Sequence, residues 1–199
     1  MNVNYYISSP FNSNMYVIPV NGTKDVILID PGEVEGQKLN DFLQENEYNP
    51  RIIILTHEHF DHCAGINELN KHYNFEIYAS EVTAHAIKTS KGNLSKYATD
   101  YCEEFAIENT VHIVHDAQQL KVGNISLTFM LTPGHSKGGI CVLADDYLFS
   151  GDTLLETKVP LKLPGSNRTD WEKSIQKLKE ICNESTIVYP GHGSSFSFK

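Results

Sequence analysis

The chain reads as an α/β protein whose strands and helices share one layered core. Three observations carry that reading. Apolar, β-branched runs recur in both halves, and amphipathic helical patterns are interleaved with them. The length of 199 residues is enough for a two- or three-layer core. A hydrophobic content of 40% with 21% charged residues is that of an ordinary soluble globular protein.

Residues 14–20 and 25–30 are strands, joined by a turn whose Asn21-Gly22 pair is a good hairpin signal. Asp30-Pro31-Gly32 stops the second strand. Residues 37–47 place Leu39, Phe42 and Leu43 at helical spacing, and 52–55 form a short buried strand. Residues 64–73 bring Ile66, Leu69 and Tyr73 to one helical face. A strand at 75–79 and a helix at 82–87 follow. From 88 to 110 the pattern weakens: Gly92, Asn93 and Ser95 mark a loop, and 98–105 a helical turn or two. A connection of this length is either a lid over a site or a surface excursion. Strands return at 111–114, 120–122, 125–131, 139–143 and 147–150. Residues 171–181 are the best helix, with Trp171, Ile175, Leu178 and Ile181 on one face and Asp170 as N-cap. A last strand covers 186–189. With no repeat, low-complexity stretch or linker in view, the expectation is a single domain spanning 1–199.

The net charge of -9 argues against a nucleic-acid surface and makes a polyanionic substrate less suitable. Cys63, Cys102, Cys141 and Cys182 show no C-x-x-C spacing, which suits a reducing compartment. No signal peptide is evident at the N-terminus, and no apolar run reaches membrane-spanning length. The expectation is a cytoplasmic protein acting on a small molecule, with neither nucleic acid nor membrane as partner.

The densest chemistry lies in His57-Glu58-His59-Phe60-Asp61-His62, directly after the apolar run at 51–55. His57 and His59 alternate, so an extended strand end projects both the same way. Asp61 and His62 offer a second point close by. A solvated histidine-rich loop is the bland alternative, but neutral imidazole is the commonest protein metal ligand. The stretch reads as half of a dinuclear metal site. Three further segments place a ligand-type residue among glycines at a strand end: Thr132-Pro133-Gly134-His135, Ser150-Gly151-Asp152 and Pro190-Gly191-His192-Gly193. Singly each is an ordinary turn. With the histidine cluster they would converge on one cleft.

In that order, His57-x-His59-x-Asp61-His62, His135, Asp152 and His192 resemble the metallo-β-lactamase superfamily over essentially the whole chain, as do the Asp30-Pro31-Gly32 turn and the closing Pro190-Gly191-His192-Gly193. The resemblance implies a four-layer αβ/βα sandwich with metals at one edge of the paired sheets. It implies that His57, His59 and His135 hold one divalent ion, that Asp61, His62 and His192 hold another, and that Asp152 bridges them. A donor set without thiolate suits Zn²⁺, with Fe or Mn also compatible. The implied activity is hydrolysis by a metal-bridging hydroxide, since even one zinc brings water from about 15.7 to about 7. Asp61 would also hydrogen-bond that nucleophile. Asp30 either orients a ligand histidine or simply forms its turn. Cys63 reads as a small buried hydrophobe. His72, His85, His112 and His115 read as surface or core histidines.

Within the superfamily, Asn14-Met15-Tyr16-Val17, Ser150-Gly151-Asp152-Thr153-Leu154 and the motif spacing look like the glyoxalase II-like branch. Asn167-Arg168-Thr169-Asp170 resembles the Gly-Arg-Thr-Asp segment of compact glyoxalase II-like and persulfide dioxygenase proteins, with asparagine in place of glycine. The implied substrate is a thioester or related ester. Full-length glyoxalase II enzymes continue into a glutathione-binding helical region, whereas Lys199 stands seven residues past His192, which weakens the case for a glutathione thioester. Lys137, Lys158, Lys162 and Arg168 are candidates for a substrate carboxylate. The pairing of His62 with Asp152 differs from the known zinc-binding variants of the β-lactamases. The alternatives are a mononuclear-iron persulfide dioxygenase using His57, His59 or His135 with Asp152, a lactonase or phosphodiesterase of the same superfamily, and a non-catalytic interaction module.

Overall fold

A computed structural model describes residues 2–199. The first half runs β1 (Asn4–Ser8), β2 (Ser13–Pro19), β3 (Asp25–Ile29), α1 (Gly36–Glu45), β4 (Asn49–Ile54), α2 (Phe60–Cys63), α3 (Ile66–Leu69), β5 (Glu76–Ala79), α4 (Glu81–Ala86) and β6 (Val111–Ile113). The second runs β7 (Gln119–Val122), β8 (Ile125–Leu131), β9 (Ile140–Ala144), β10 (Tyr147–Gly151), α5 (Arg168–Ile181), β11 (Ile187–Pro190) and β12 (Phe196–Ser197).

Each half contributes a mixed six-stranded sheet, in strand order β1-β2-β3-β4-β5-β6 and β12-β11-β10-β9-β8-β7. Two-residue turns join β7 to β8 and β9 to β10 as antiparallel neighbours, and the longer loop at 132–139 joins β8 to β9 antiparallel as well. Where a helix intervenes, the strands pair in parallel, as β3 with β4 and β10 with β11.

The period-two alternation of side chains creates the layers. Ile27, Ile29 and Ile54 face inward and pack against Leu127, Phe129, Val142 and Phe149 between the sheets. Their chain neighbours Val26, Leu28, Ile53 and Leu55 face outward, under Leu39 and Leu43 of α1 and Ile66 and Leu69 of α3. On the far side Met130, Cys141, Leu148 and Val188 pack with Leu178 of α5. The result is the four-layer αβ/βα sandwich. Because both faces of the sheets are covered, the central strands read as apolar runs rather than as alternating ones.

Two local expectations are corrected and one is refined. The helix expected at 64–73 is cut to α3 at 66–69 and is separate from α2, because Gly65 N–H donates to Pro31 O at 2.9 Å while Asp61 O, its helical acceptor, takes the Ser13 hydroxyl at 2.5 Å. Residues 98–105 form a single helical turn, with Cys102 N–H donating to Ala98 O at 3.0 Å, and then run on as a loop. That stretch follows a 3₁₀ turn at Ser95–Tyr97 and is tied down by Asn93 and Ser95, both bonded to Phe105. In α5 the N-cap is Asn167, not Asp170: its side chain accepts the Asp170 N–H at 3.1 Å, which puts Asp170 inside the first turn. The buried face of α5 centres on Ser174 and Leu178, and Ile181 is 45% exposed.

Candidate metal centre

All seven sequence-predicted residues meet at one edge of the sandwich, beyond the C-terminal ends of β4, β8, β10 and β11. His135 lies four residues past β8, Asp152 directly follows β10, and His192 is two residues past β11. The expected strand extension under His57 and His59 is not formed. The chain bends at Thr56 and His57, His59 is the extended residue before α2, and Asp61 and His62 occupy that helix. Convergence is enforced by hydrogen bonds instead. His57 Nδ1–H donates to Thr56 Oγ1 (3.0 Å), whose hydroxyl donates to Asp30 Oδ2 (2.5 Å). The same Oδ2 accepts His62 Nδ1–H at 3.1 Å, and Oδ1 accepts the Thr56 N–H at 2.7 Å. His135 Nδ1–H donates to Pro160 O at 2.9 Å. These bonds place a proton on Nδ1 of each ring and turn Nε2 of His57, His62 and His135 into the site as the nitrogen free to ligate.

Three ring nitrogens form the first set: His59 Nδ1 lies 3.1 Å from His57 Nε2 and 3.0 Å from His135 Nε2. Asp61, His62 and His192 form the second, with Asp61 Oδ2 3.4 Å from His192 Nε2 and 3.7 Å from His62 Nε2. Asp152 stands between them, Oδ2 being 3.5 Å from His135 Nε2 and 3.7 Å from His192 Nε2, and Oδ1 3.7 Å from His62 Nε2. Gly191 makes room for it, since a Cβ there would strike Asp152 Oδ1 and His62.

The donor set fits divalent cations on its own chemistry. His62 Nε2 and Asp152 Oδ1 are buried without a hydrogen-bond partner, an arrangement that is costly unless a ligand satisfies them. Two lone-pair nitrogens pressed on a third within about 3 Å likewise call for a shared cation rather than for one another. In the cation-free protein, burial and the neighbouring imidazole of His135 hold His59 down to about 3. Burial and the surrounding imidazoles push His57 well below its ordinary value. Burial opposes a charge on His62 too, but the carboxylates of Asp61, Asp152 and Asp30 outweigh it and raise that imidazole to about 10. A bound cation would take the place of that proton.

Three supporting side chains carry no ligand signature in the sequence. Thr56 links Asp30 to His57, as above. Asn14 Nδ2 donates to Pro190 O (2.9 Å) and Gly193 O (2.8 Å), clamping the His192 loop to β2. Glu58, inside the histidine motif, points away from the cluster and accepts hydroxyls from Thr83 (3.2 Å) and Ser136 (3.1 Å), tying the motif to the His135 loop. A charged residue between two ligands was the only signal for Glu58. Of the other histidines, His72 and His112 pair with surface glutamates away from the site.

The site opens into a cleft of about 570 Å³, within the range of small-molecule pockets. The segment at 88–110 supplies one wall through Leu94, Tyr97, Ala98 and Tyr101, alongside Phe11 and Phe60. The other wall comes from the connection between β10 and α5, including Leu155, Pro160 and Leu163. Of the four basic residues considered above, Lys158 lines this cleft, and Arg168 pairs with Glu172 on α5.

An αβ/βα sandwich with histidine and aspartate donors gathered at one sheet edge defines a class of metal-dependent hydrolase folds. Residues 8–192 match the family described as the metallo-beta-lactamase superfamily, and the chain belongs to it. It is 30% identical over 178 residues to a probable polyketide biosynthesis zinc-dependent hydrolase, PksB, of Bacillus subtilis, covering 89% of this chain and 71% of that one. It is also 30% identical over 172 residues to a hydroxyacylglutathione hydrolase of Erwinia tasmaniensis, covering 86% and 58% respectively. Among solved structures, the BLEG-1 B3 metallo-beta-lactamase superposes with a TM-score of 0.88 at 26% identity over 98% of this chain and 94% of that one. TTHA1623 in a di-iron-bound form superposes with a TM-score of 0.83 at 25% identity over the same shares. Among the described residues, no helix is long and apolar enough to cross a membrane.

Proposed function

We propose that residues 1–199 act as one domain that hydrolyses a small-molecule thioester or related ester with the help of two divalent cations. The observation that carries this reading is the position of Asp152, within 3.5–3.7 Å of nitrogens from both donor sets. A complete second set gives Asp61, His62 and His192 a role that a mononuclear iron site would leave them without. His57, His59 and His135 would hold one cation, Asp61, His62 and His192 the other, and Asp152 would bridge the pair. The donor chemistry suits Zn²⁺, with Fe or Mn as alternatives. When bound, the ions supply Lewis acidity and a water of lowered pKa.

The chain's own residues do the rest. Asp61, only partly buried beside His192, faces the cleft and can accept a hydrogen bond from the attacking water. The apolar walls limit bulk water around the acyl group. Addition of water forms the acyl C–O bond and breaks the C–S bond, yielding a carboxylate and a thiol. Cys63 is no competing nucleophile: it is fully buried, and burial with the nearby Asp61 and Asp30 carboxylates keeps its thiol protonated.

The test is a panel of thioesters, lactones, phosphodiesters and β-lactams assayed with metal-loaded wild type and Asp152→Ala. Thioester turnover that falls by at least about a hundredfold in the variant, with less metal retained, is the expected outcome. Turnover confined to another class on the panel would refute the substrate reading. Undiminished turnover by the variant would refute the bridging role.

A further inference from the structure

We infer that the cleft selects thioesters with an extended apolar acyl chain, and that Tyr97 and Tyr101 are the residues that set this preference. The inference rests on the thioester reading above and names its substrate class. The cleft has the donor cluster at its floor and apolar side chains on both flanks, Phe11, Tyr97 and Tyr101 on one and Leu155 and Leu163 on the other.

The aromatic flank is built, not incidental. Phe11 packs edge-on against Phe60 of the ligand motif (5.0 Å between centroids) and against Tyr101 (4.9 Å). It is therefore continuous with the donor cluster. The opposite flank is pinned to the same cluster, because Pro160 O accepts from His135 Nδ1 and Ser166 Oγ donates to His135 O at 2.7 Å.

Tyr97 and Tyr101 are nevertheless 63% and 59% exposed. Two large rings left open to water along a cavity that ends at the reactive centre mark a surface completed by an apolar ligand. Among the described residues, Lys158 is the one lysine or arginine in the lining, and beyond the donor cluster Thr157 and the hydroxyls of Tyr97 and Tyr101 are its other polar side-chain groups. The flanks thus offer a peptide-like acyl or thiol group few side-chain partners along its length, whereas an alkyl or aryl chain demands none.

The experiment has two arms. The first measures kcat/KM for N-acetylcysteamine thioesters from acetyl to octanoyl. The second measures, by calorimetry, the binding of acetate through octanoate to the protein as purified. Wild type is compared with Tyr97→Ser/Tyr101→Ser, two exposed positions whose change leaves the core intact, and with Tyr5→Ser, an equally exposed tyrosine outside this cleft. Wild type and Tyr5→Ser are expected to gain about threefold per added methylene in both arms. The double variant should gain less than about twofold, its deficit growing with chain length. Thioesters hydrolysed with no dependence on chain length would overturn the inference and leave the thioester reading standing. Carboxylates that bind more tightly with length, without any thioester turnover, would uphold the apolar cleft and sink the thioester reading. An unchanged slope in the double variant would overturn the assignment to Tyr97 and Tyr101.

Discussion

One carboxylate, Asp30, orients a histidine from each donor set: His62 directly and His57 through the Thr56 hydroxyl. Asp30→Asn keeps the size and the acceptor for the Thr56 N–H, but turns a donor toward two groups that themselves donate. Zinc affinity should fall by about 10- to 100-fold, measured by competition with a chromophoric chelator; an unchanged affinity would remove Asp30 from the site's support. The donor imidazoles also set a pH profile for the cation-free protein. His57 and His59 are held below the ordinary value of 6.5, His59 at about 3, so unfolding takes up protons in acid. Their contribution is whole above 6.5 and is lost as pH falls toward 3. His62 is raised to about 10, so its contribution is whole below 6.5 and is lost as pH rises toward 10. The Tm of chelator-treated protein should therefore peak near neutrality and decline on both sides, and a flat or monotonic profile would contradict this balance. The seven residues that the structure gathers at this edge were legible because histidine and aspartate carry their chemistry in their identity. Thr56, Asn14 and Glu58 were not, since each acts through a partner distant in sequence, Asn14 across 176 residues to Pro190.

At the scale of elements, periodicity located the helices but long-range contacts set their limits. Ser13 and Pro31 take the hydrogen bonds that would have joined α2 to α3, and neither contact leaves a trace in the local pattern. At the start of α5 the sequence pointed to Asp170 as the N-cap, and Asn167 stands only three residues before it. The backbone chooses Asn167, and Asp170 then complements the helix dipole from within the first turn. Asn167→Ala should cost about 1 kcal/mol, a fall in Tm of about 2–4 °C for a chain of this size, whereas Asp170→Ala should cost less. The reverse ranking would restore Asp170 as the cap. The connection at 88–110 forms a wall of the cleft, a role its weak periodicity could hint at but not specify.

At the scale of the whole molecule, apolar runs in both halves gave the two sheets, and the covering helices on each side explain why those runs hardly alternate. The paired sheets put the ends of β4 and β8, β10 and β11 on a common edge, and so turn four short loops into one donor cluster. How the sheets face each other is a property of packing between distant strands, which the spacing of motifs alone does not encode. Whether the proposed pair of cations sits at this edge is read from calorimetric titration of Zn²⁺ into chelator-stripped protein, with the number of equivalents bound per chain as the readout. Saturation at two equivalents is expected, and saturation at one, or no binding, would rule out the dinuclear site.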